Sequence, residues 1–183
     1  MKFIKLQKGF SLVELLVTIA IIGLLTTMAV VGVRVAQTKS KIAKAEHEVD
    51  TIFRAMGVMA NDTGYWPGLQ PFEVVCTDRP GGCPAGNEIC SDGCAYGLSD
   101  PRAGLEATDG NFPNWSGPYM AQVPLDSWGN EYFFDTDYSV NASNEPCNGG
   151  GGCHNVVVVG SYGPDGVGDG QYNSDDIIKI IAF

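Results

Sequence analysis

Four carboxylates lie close together in one glycine-rich segment near the C-terminus of the 183-residue chain. They are interspersed with glycines, which let backbone carbonyls turn inward, and the segment lies between two predicted strands. Ca²⁺ binds about six to eight oxygens, whereas Mg²⁺ retains waters and prefers strict octahedral geometry. Counted from Asp165, the positions of Asp169 and Asp176 match EF-hand offsets, but Val167 does not and flanking helices are not expected. The segment therefore predicts a calcium loop of another kind, with a solvated acidic turn as the alternative.

Arrangements typical of enzymes are missing from the sequence. It contains no Ser-His-Asp set, metal-hydrolase motif or phosphate-binding loop, and it has only two histidines. His47 lies between two glutamates on a predicted helix, which favours a solvated side chain. We therefore expect a protein that is not an enzyme. The formal net charge of −10 argues against nucleic acid or anionic lipid as a partner.

The N-terminus predicts a membrane segment preceded by a short basic leader. The leader carries three lysines and ends in Gly9, and an apolar run follows from Phe10 to Val31. As a helix this run spans about 33 Å, enough to cross a bilayer core. A secretory signal has its small-residue cut site after the apolar region, whereas here Gly9 precedes it. Glu14 is the one carboxylate within the run, and its cost in lipid indicates a partner.

Residues 8–14, with the sequence KGFSLVE, resemble the prepilin peptidase site of type IV pilins and type II secretion pseudopilins. The resemblance implies cleavage after Gly9, N-methylation of Phe10 and a Glu14 carboxylate that neutralises the N-terminal amine of a neighbouring subunit. A buried carboxylate opposite a buried ammonium is tolerated, whereas either charge alone is not. Many members of this family have a helix-kinking proline near the end of the span, where this chain has Val31.

The helix is expected to continue beyond the membrane. Residues 33–60 contain no proline, and Asn61–Gly64 form a stop signal. Residues 10–60 would form one helix of about 75 Å. One apolar stripe recurs at three- and four-residue steps: Ile42, Ala45, Val49, Ile52, Phe53, Met56 and Met59. We predict a cleaved leader at 1–9, a transmembrane and assembly helix at 10–33, and a periplasmic domain at 34–183.

Six cysteines follow the membrane segment, an even number that predicts disulfides in an exported domain. Cys147 and Cys153 bracket a flexible glycine turn and are the simplest pair. The other short-range candidates are Cys90 with Cys94 and Cys76 with Cys83. A zinc site is less favoured because the spacings lack paired C-x-x-C knuckles and His154 is the only nearby histidine. Residues 65–117 are interpreted as a long, cysteine-rich loop region.

Residues 115–120 (WSGPYM) and 123–132 (VPLDSWGNEY) resemble a stretch of the major pseudopilin of type II secretion systems, W-x-G-P-Y … P-x-D-x-W-G-N-x-Y. Trp128 is interpreted as a core or turn-packing residue. Strands are predicted at 132–134, 156–159 and 177–181. The expected fold is therefore α+β and pilin-like, with a long N-terminal helix packed on a small C-terminal antiparallel sheet.

The acidic segment, residues 161–177, resembles the calcium loop of the same pseudopilins. Their pattern, G-x-D-G … D-D-I, matches residues 163–166 and 175–177, with a longer insert between them. The resemblance implies a ligand set in this order of preference: Asp165, Asp175, Asp176, Asp169 and the main-chain carbonyl of Tyr162.

Together these resemblances imply a structural subunit of the type II secretion pseudopilus. It would be a single-pass protein of the bacterial inner membrane that polymerises into a periplasmic filament and drives export of folded proteins. Its implied partners are further copies of itself, minor pseudopilins, the prepilin peptidase and the inner-membrane secretion platform. The alternative is a type IV pilin that forms a surface fibre for adhesion, motility or DNA uptake.

Overall fold

The computed structural model describes residues 9–71, 88–89, 96–147, 152–168 and 172–182, without the side chains at positions 71, 88 and 182. Its main helix, α1 (Leu12–Thr63), contains 52 residues. The chain divides into two compact units, and the division falls between Ser40 and Lys41.

The N-terminal unit consists of the first part of α1. Every residue from 11 to 40 is exposed, including the long apolar side chains of the predicted span. By length and composition, α1 is the one helix in the described part of the chain that is long and apolar enough to cross a membrane. Sixteen large apolar side chains of this unit are exposed. Because their contact with water is unfavourable, this unit requires an apolar environment.

The C-terminal unit is built on an antiparallel sheet. A short ribbon of β1 (Tyr65–Trp66) and β2 (Gln70–Pro71) follows α1 around a single 3₁₀ turn. The sheet itself contains β3 (Glu88–Ile89), β4 (Phe133–Val140), β5 (His154–Ser161) and β6 (Ile177–Ala182) in that spatial order. The three predicted strands are present and the α+β prediction is confirmed. The short β3 was not predicted.

The predicted apolar stripe of α1 forms one side of the core. Val49, Ile52, Met56 and Met59 are almost completely buried. They belong to one cluster with side chains from the helix-facing side of the sheet, including Phe134, Val157 and Val159. Alternation along each strand places the other side chains on the opposite face of the sheet. There they form a second cluster: Phe133, Tyr138, Val140, Val156, Val158 and Tyr162.

The segment from residue 96 to 123 also contributes to the core. Leu98, Leu105 and Phe112 are buried in the same cluster as the helix stripe. The Trp115 indole donates a 2.7 Å hydrogen bond from Nε1 to the Gly104 carbonyl. The described part of the predicted cysteine-rich loop region is held by apolar packing. The cysteines at 76, 83, 90 and 94 lie outside the described residues.

Candidate functional site

The processing site lies just before α1. Gly9 and Phe10 are exposed and non-helical, and the helix begins at Leu12. Ser11 and Glu14 form a capping box: Ser11 Oγ accepts a hydrogen bond from Val13 N at 3.3 Å, and Glu14 Oε2 accepts one from Ser11 N at 2.9 Å. The S-x-x-E pattern at residues 11–14 is typical of such a capping box. The sequence predicts only an assembly role for Glu14.

The geometry gives the Glu14 carboxylate a position at the start of its own helix. Negative charge is stabilised there by the helix dipole and by the unpaired backbone N–H groups of the first turn. The carboxylate therefore lies beside the peptide bond that follows Phe10, the predicted new N-terminus. An amine created at Phe10 would find a carboxylate nearby in its own chain as well as in a neighbouring chain.

The acidic loop between β5 and β6 brings two of the predicted calcium ligands together. Asp175 Oδ2 accepts a hydrogen bond from Asp165 N at 3.2 Å, and Asp165 Oδ2 accepts one from Asn173 Nδ2 at 3.0 Å. Gly163 has φ +65°, and a Cβ atom there would lie 2.1 Å from the Asp175 carbonyl oxygen. A glycine is therefore required for the two ends of the loop to approach each other.

Asp176 is directed instead towards the outer face of the sheet. Its Oδ2 accepts hydrogen bonds from Tyr138 Oη at 2.5 Å and from Asn173 N at 3.3 Å, while Oδ1 is buried and has no hydrogen-bond partner among the described residues. Burial, assisted by the negative charges of Asp175 and Asp165, raises the pKa of Asp176 to about 6. Burial and the Asp176 hydrogen bond also raise the pKa of Tyr138.

The carboxylate oxygens of the loop are ligands of the type that a hard cation prefers, but too few of those that the structure describes converge on one point. Three carboxylates of the loop lie in its described part, and one of their oxygens is buried without a partner there, which favours a positive ligand. In the described part of the chain, however, no three acidic, histidine or cysteine side chains converge on a point that could hold a metal. Asp169 lies outside the described residues. The Tyr162 ring stacks on Phe133 with centroids 4.4 Å apart, which anchors the start of the loop.

The turn at residues 124–131 lies against this loop, a relationship that was not predicted. Asp126 is 5% exposed and Ser161 is completely buried, and Ser161 Oγ donates a 2.6 Å hydrogen bond to Asp126 Oδ2. A Cβ atom at Gly166 would lie 3.1 Å from the Asn130 side chain. Trp128 is half-buried, with Lys41 Nζ 6.0 Å from its ring centroid. In the sequence, the motif around Asp126 indicates a resemblance to pseudopilins but predicts no role for that carboxylate.

The disulfide between Cys147 and Cys153 is present, as predicted. It joins the end of β4 to the start of β5 across residues 148–151, which are outside the described part. His154 follows Cys153 and is exposed, as is His47 on α1.

The family model for the prokaryotic N-terminal methylation motif matches residues 4–30. This match includes Gly9, Phe10 and Glu14, and it indicates a type IV pilin-like protein, either a pilin or a pseudopilin. Such a protein is processed by a prepilin peptidase and polymerises into filaments. No curated protein and no solved structure matches the chain.

Proposed function

We propose that this chain is a structural subunit of a type II secretion pseudopilus and that its polymerisation drives export of folded proteins across the outer membrane. The proposal rests on the contact between the turn at residues 124–131 and the acidic loop, which is made by Asp126 and Ser161. Both segments resemble pseudopilin motifs, and the fold joins them into one structure.

Assembly is supported by the exposed apolar surface of α1. Before assembly the bilayer would cover this surface, and in a filament the same helix of neighbouring copies would replace the lipid. Glu14 would then pair with the amine of Phe10 in the adjacent subunit. We propose minor pseudopilins, the prepilin peptidase and the inner-membrane platform as further partners, with the C-terminal unit on the periplasmic side.

We further propose that the acidic loop binds Ca²⁺, with Asp165 and Asp175 as the principal ligands. Asp176, Asp169 and the Tyr162 carbonyl would complete the oxygen set. The bound ion supplies positive charge that offsets the repulsion among the carboxylates. Since the ion binds only the folded loop, it stabilises the subunit by mass action.

The processing step is tested with the full chain expressed with and without a prepilin peptidase. Mass spectrometry is expected to show loss of residues 1–9 and one added methyl group on Phe10. Gly9→Leu should remain uncut, with Gly32→Leu as a control at an exposed helical glycine without neighbours within 4 Å. An uncut wild-type chain would refute the processing proposal.

The type of filament is tested by deleting the gene in the native bacterium. Loss of secreted proteins with intact surface fibres supports the pseudopilin, whereas loss of fibres with normal secretion supports a type IV pilin. Complementation by Asp165→Ala then tests the loop: it should fail if Ca²⁺ is required.

A further inference from the structure

The Asp126 carboxylate organises the turn in which it lies. Its Oδ1 accepts hydrogen bonds from Trp128 N at 2.9 Å and Asn130 N at 2.8 Å, and its main-chain N–H donates to the Asn130 carbonyl at 2.8 Å. The carboxylate is 5% exposed, so these bonds are largely protected from water. Oδ1 fixes the conformation of residues 126–130, while Oδ2 accepts a longer hydrogen bond of 3.4 Å from Asn130 Nδ2.

A single side chain connects Oδ2 to the acidic loop. Ser161 Oγ donates to Asp126 Oδ2 at 2.6 Å and accepts from Gly163 N at 3.1 Å. Gly163 is the residue whose φ of +65° brings the start of the loop against Asp175. The hydroxyl of Ser161 therefore fixes the first bend of the loop relative to the turn.

The other side of the turn contacts α1. Ser127 Oγ donates a 3.1 Å hydrogen bond to the Lys41 carbonyl, and the Lys41 ammonium lies 6.0 Å from the centre of the Trp128 ring. A hydroxyl bond to a helix carbonyl and a cation near an aromatic face each contribute little to stability. Such contacts respond readily to a shift of the turn.

We propose that Asp126 and Ser161 are positioning residues that transmit the order of the acidic loop to the turn and, through Ser127 and Trp128, to α1 at Lys41. An ion bound in the loop would restrict Gly163, hold the Ser161 hydroxyl in place and tighten the turn against the helix. This inference rests on the proposed Ca²⁺ loop for its ligand. The connection between loop and turn rests on hydrogen bonds that need no ion.

The decisive variant is Ser161→Ala, because it removes the bridge and leaves the Asp126 bonds to Trp128 and Asn130 intact. Ser139→Ala is the matched control, since Ser139 Oγ makes a 2.9 Å hydrogen bond to Asn155 Oδ1 elsewhere on the sheet. The full chain in detergent micelles is titrated with CaCl₂ while tryptophan emission is recorded. Trp128→Phe identifies the part of the signal that comes from Trp128.

Wild type and Ser139→Ala are expected to show a Ca²⁺-dependent change in Trp128 emission. Ser161→Ala should lose most of that change and bind Ca²⁺ about tenfold more weakly, as for loss of one buried hydrogen bond. An unchanged Trp128 response in Ser161→Ala would overturn the inference. If calorimetry detects no binding of millimolar Ca²⁺ to wild type, the proposed calcium function fails, and hydrogen exchange in chelator decides the connection itself. If wild type binds Ca²⁺ without a change in Trp128 emission, the inference is overturned. Faster exchange in both residues 126–130 and 162–168 of Ser161→Ala, relative to Ser139→Ala, supports it, and equal rates refute it.

Discussion

The ammonium of Lys179 on β6 lies 2.9 Å from Oδ1 of Asp50 on α1, although the two residues are 129 positions apart. The same ammonium lies 5.1 Å from the ring centroid of Phe53. β6 is at one end of the described strand order, where exposed backbone groups favour pairing with other chains. A charged side chain facing inwards from such a strand discourages that pairing and also fixes β6 against the helix.

Removing this ion pair should have a small effect that disappears in acid. Hydrogen bonds from Lys179 and Arg54 lower the pKa of Asp50 below its usual value of 3.8. A carboxylate whose pKa is lowered in the folded state stabilises the protein above its unfolded pKa. This stabilisation is lost as the pH falls through the folded-state pKa. Lys179→Met should therefore lower the thermal midpoint slightly at neutral pH, and the difference from wild type should shrink as the pH falls below 3.8. A difference independent of pH would assign the effect to packing on Phe53.

Two glycines with similar backbone angles provide a test of core packing. Gly104 and Gly110 have φ values of +84° and +92°, but only a Cβ atom at Gly104 would meet neighbours, at 2.8 Å from Phe112 and 2.9 Å from Met59. Gly110→Ala should cost about 1–2 kcal/mol from backbone strain alone. Gly104→Ala should cost about 1–3 kcal/mol more because it overpacks the core. Urea unfolding measures both, and equal losses would contradict the described packing.

The helix stripe predicts a large difference between two neighbouring positions. Met56 is completely buried, whereas Val58 is 55% exposed on the same helix. Met56→Ala should lower the free energy of unfolding by about 2–5 kcal/mol through the cavity that it leaves. Val58→Ala should change it by no more than about 0.5 kcal/mol. Urea denaturation of the full chain in micelles tests this difference, which would vanish if the stripe did not face the sheet.

Asp176 should make the metal-free protein more stable in mild acid. Its pKa is raised to about 6 in the folded state, from a usual value of 3.8. A raised pKa contributes stability that is fully present below the unfolded value and is lost as the pH rises through the folded value. In chelator, the thermal midpoint of wild type should therefore fall between about pH 4 and pH 7 relative to that of Asp176→Asn. If the two proteins show the same pH dependence, the described burial of this carboxylate is incorrect.

Glu14 serves as both a cap and a charge, and two variants separate these roles. Glu14→Gln retains an acceptor for the Ser11 N–H and removes the charge, whereas Ser11→Ala retains the charge and removes half of the capping box. If pairing with a neighbouring amine drives assembly, Glu14→Gln should be processed but fail to form filaments, and Ser11→Ala should still assemble. Filament yield, measured by shearing and sedimentation, distinguishes them. Normal assembly of Glu14→Gln would eliminate the charge-pairing role.

The sequence alone determined the features that depend on neighbours along the chain. The processing motif around Gly9, the apolar span and the stripe that includes Ile52 and Met56 are local patterns with helical periodicity, and they predicted the helix and its buried face. The pair Cys147 and Cys153 was predictable because only a short glycine turn separates them.

Only the tertiary structure decided the contacts between distant segments. Asp126 and Ser161 are 35 positions apart, and Tyr138 and Asp176 are 38 apart. No periodicity or spacing encodes such pairs, because they depend on how the strands align and on which turn is placed at the end of each strand. The acidic residues of the loop are therefore recognisable in the sequence, whereas the fold directs Asp176 towards the sheet and connects the loop to Asp126. The burial that raises the pKa of Asp176 arises only when these segments pack together.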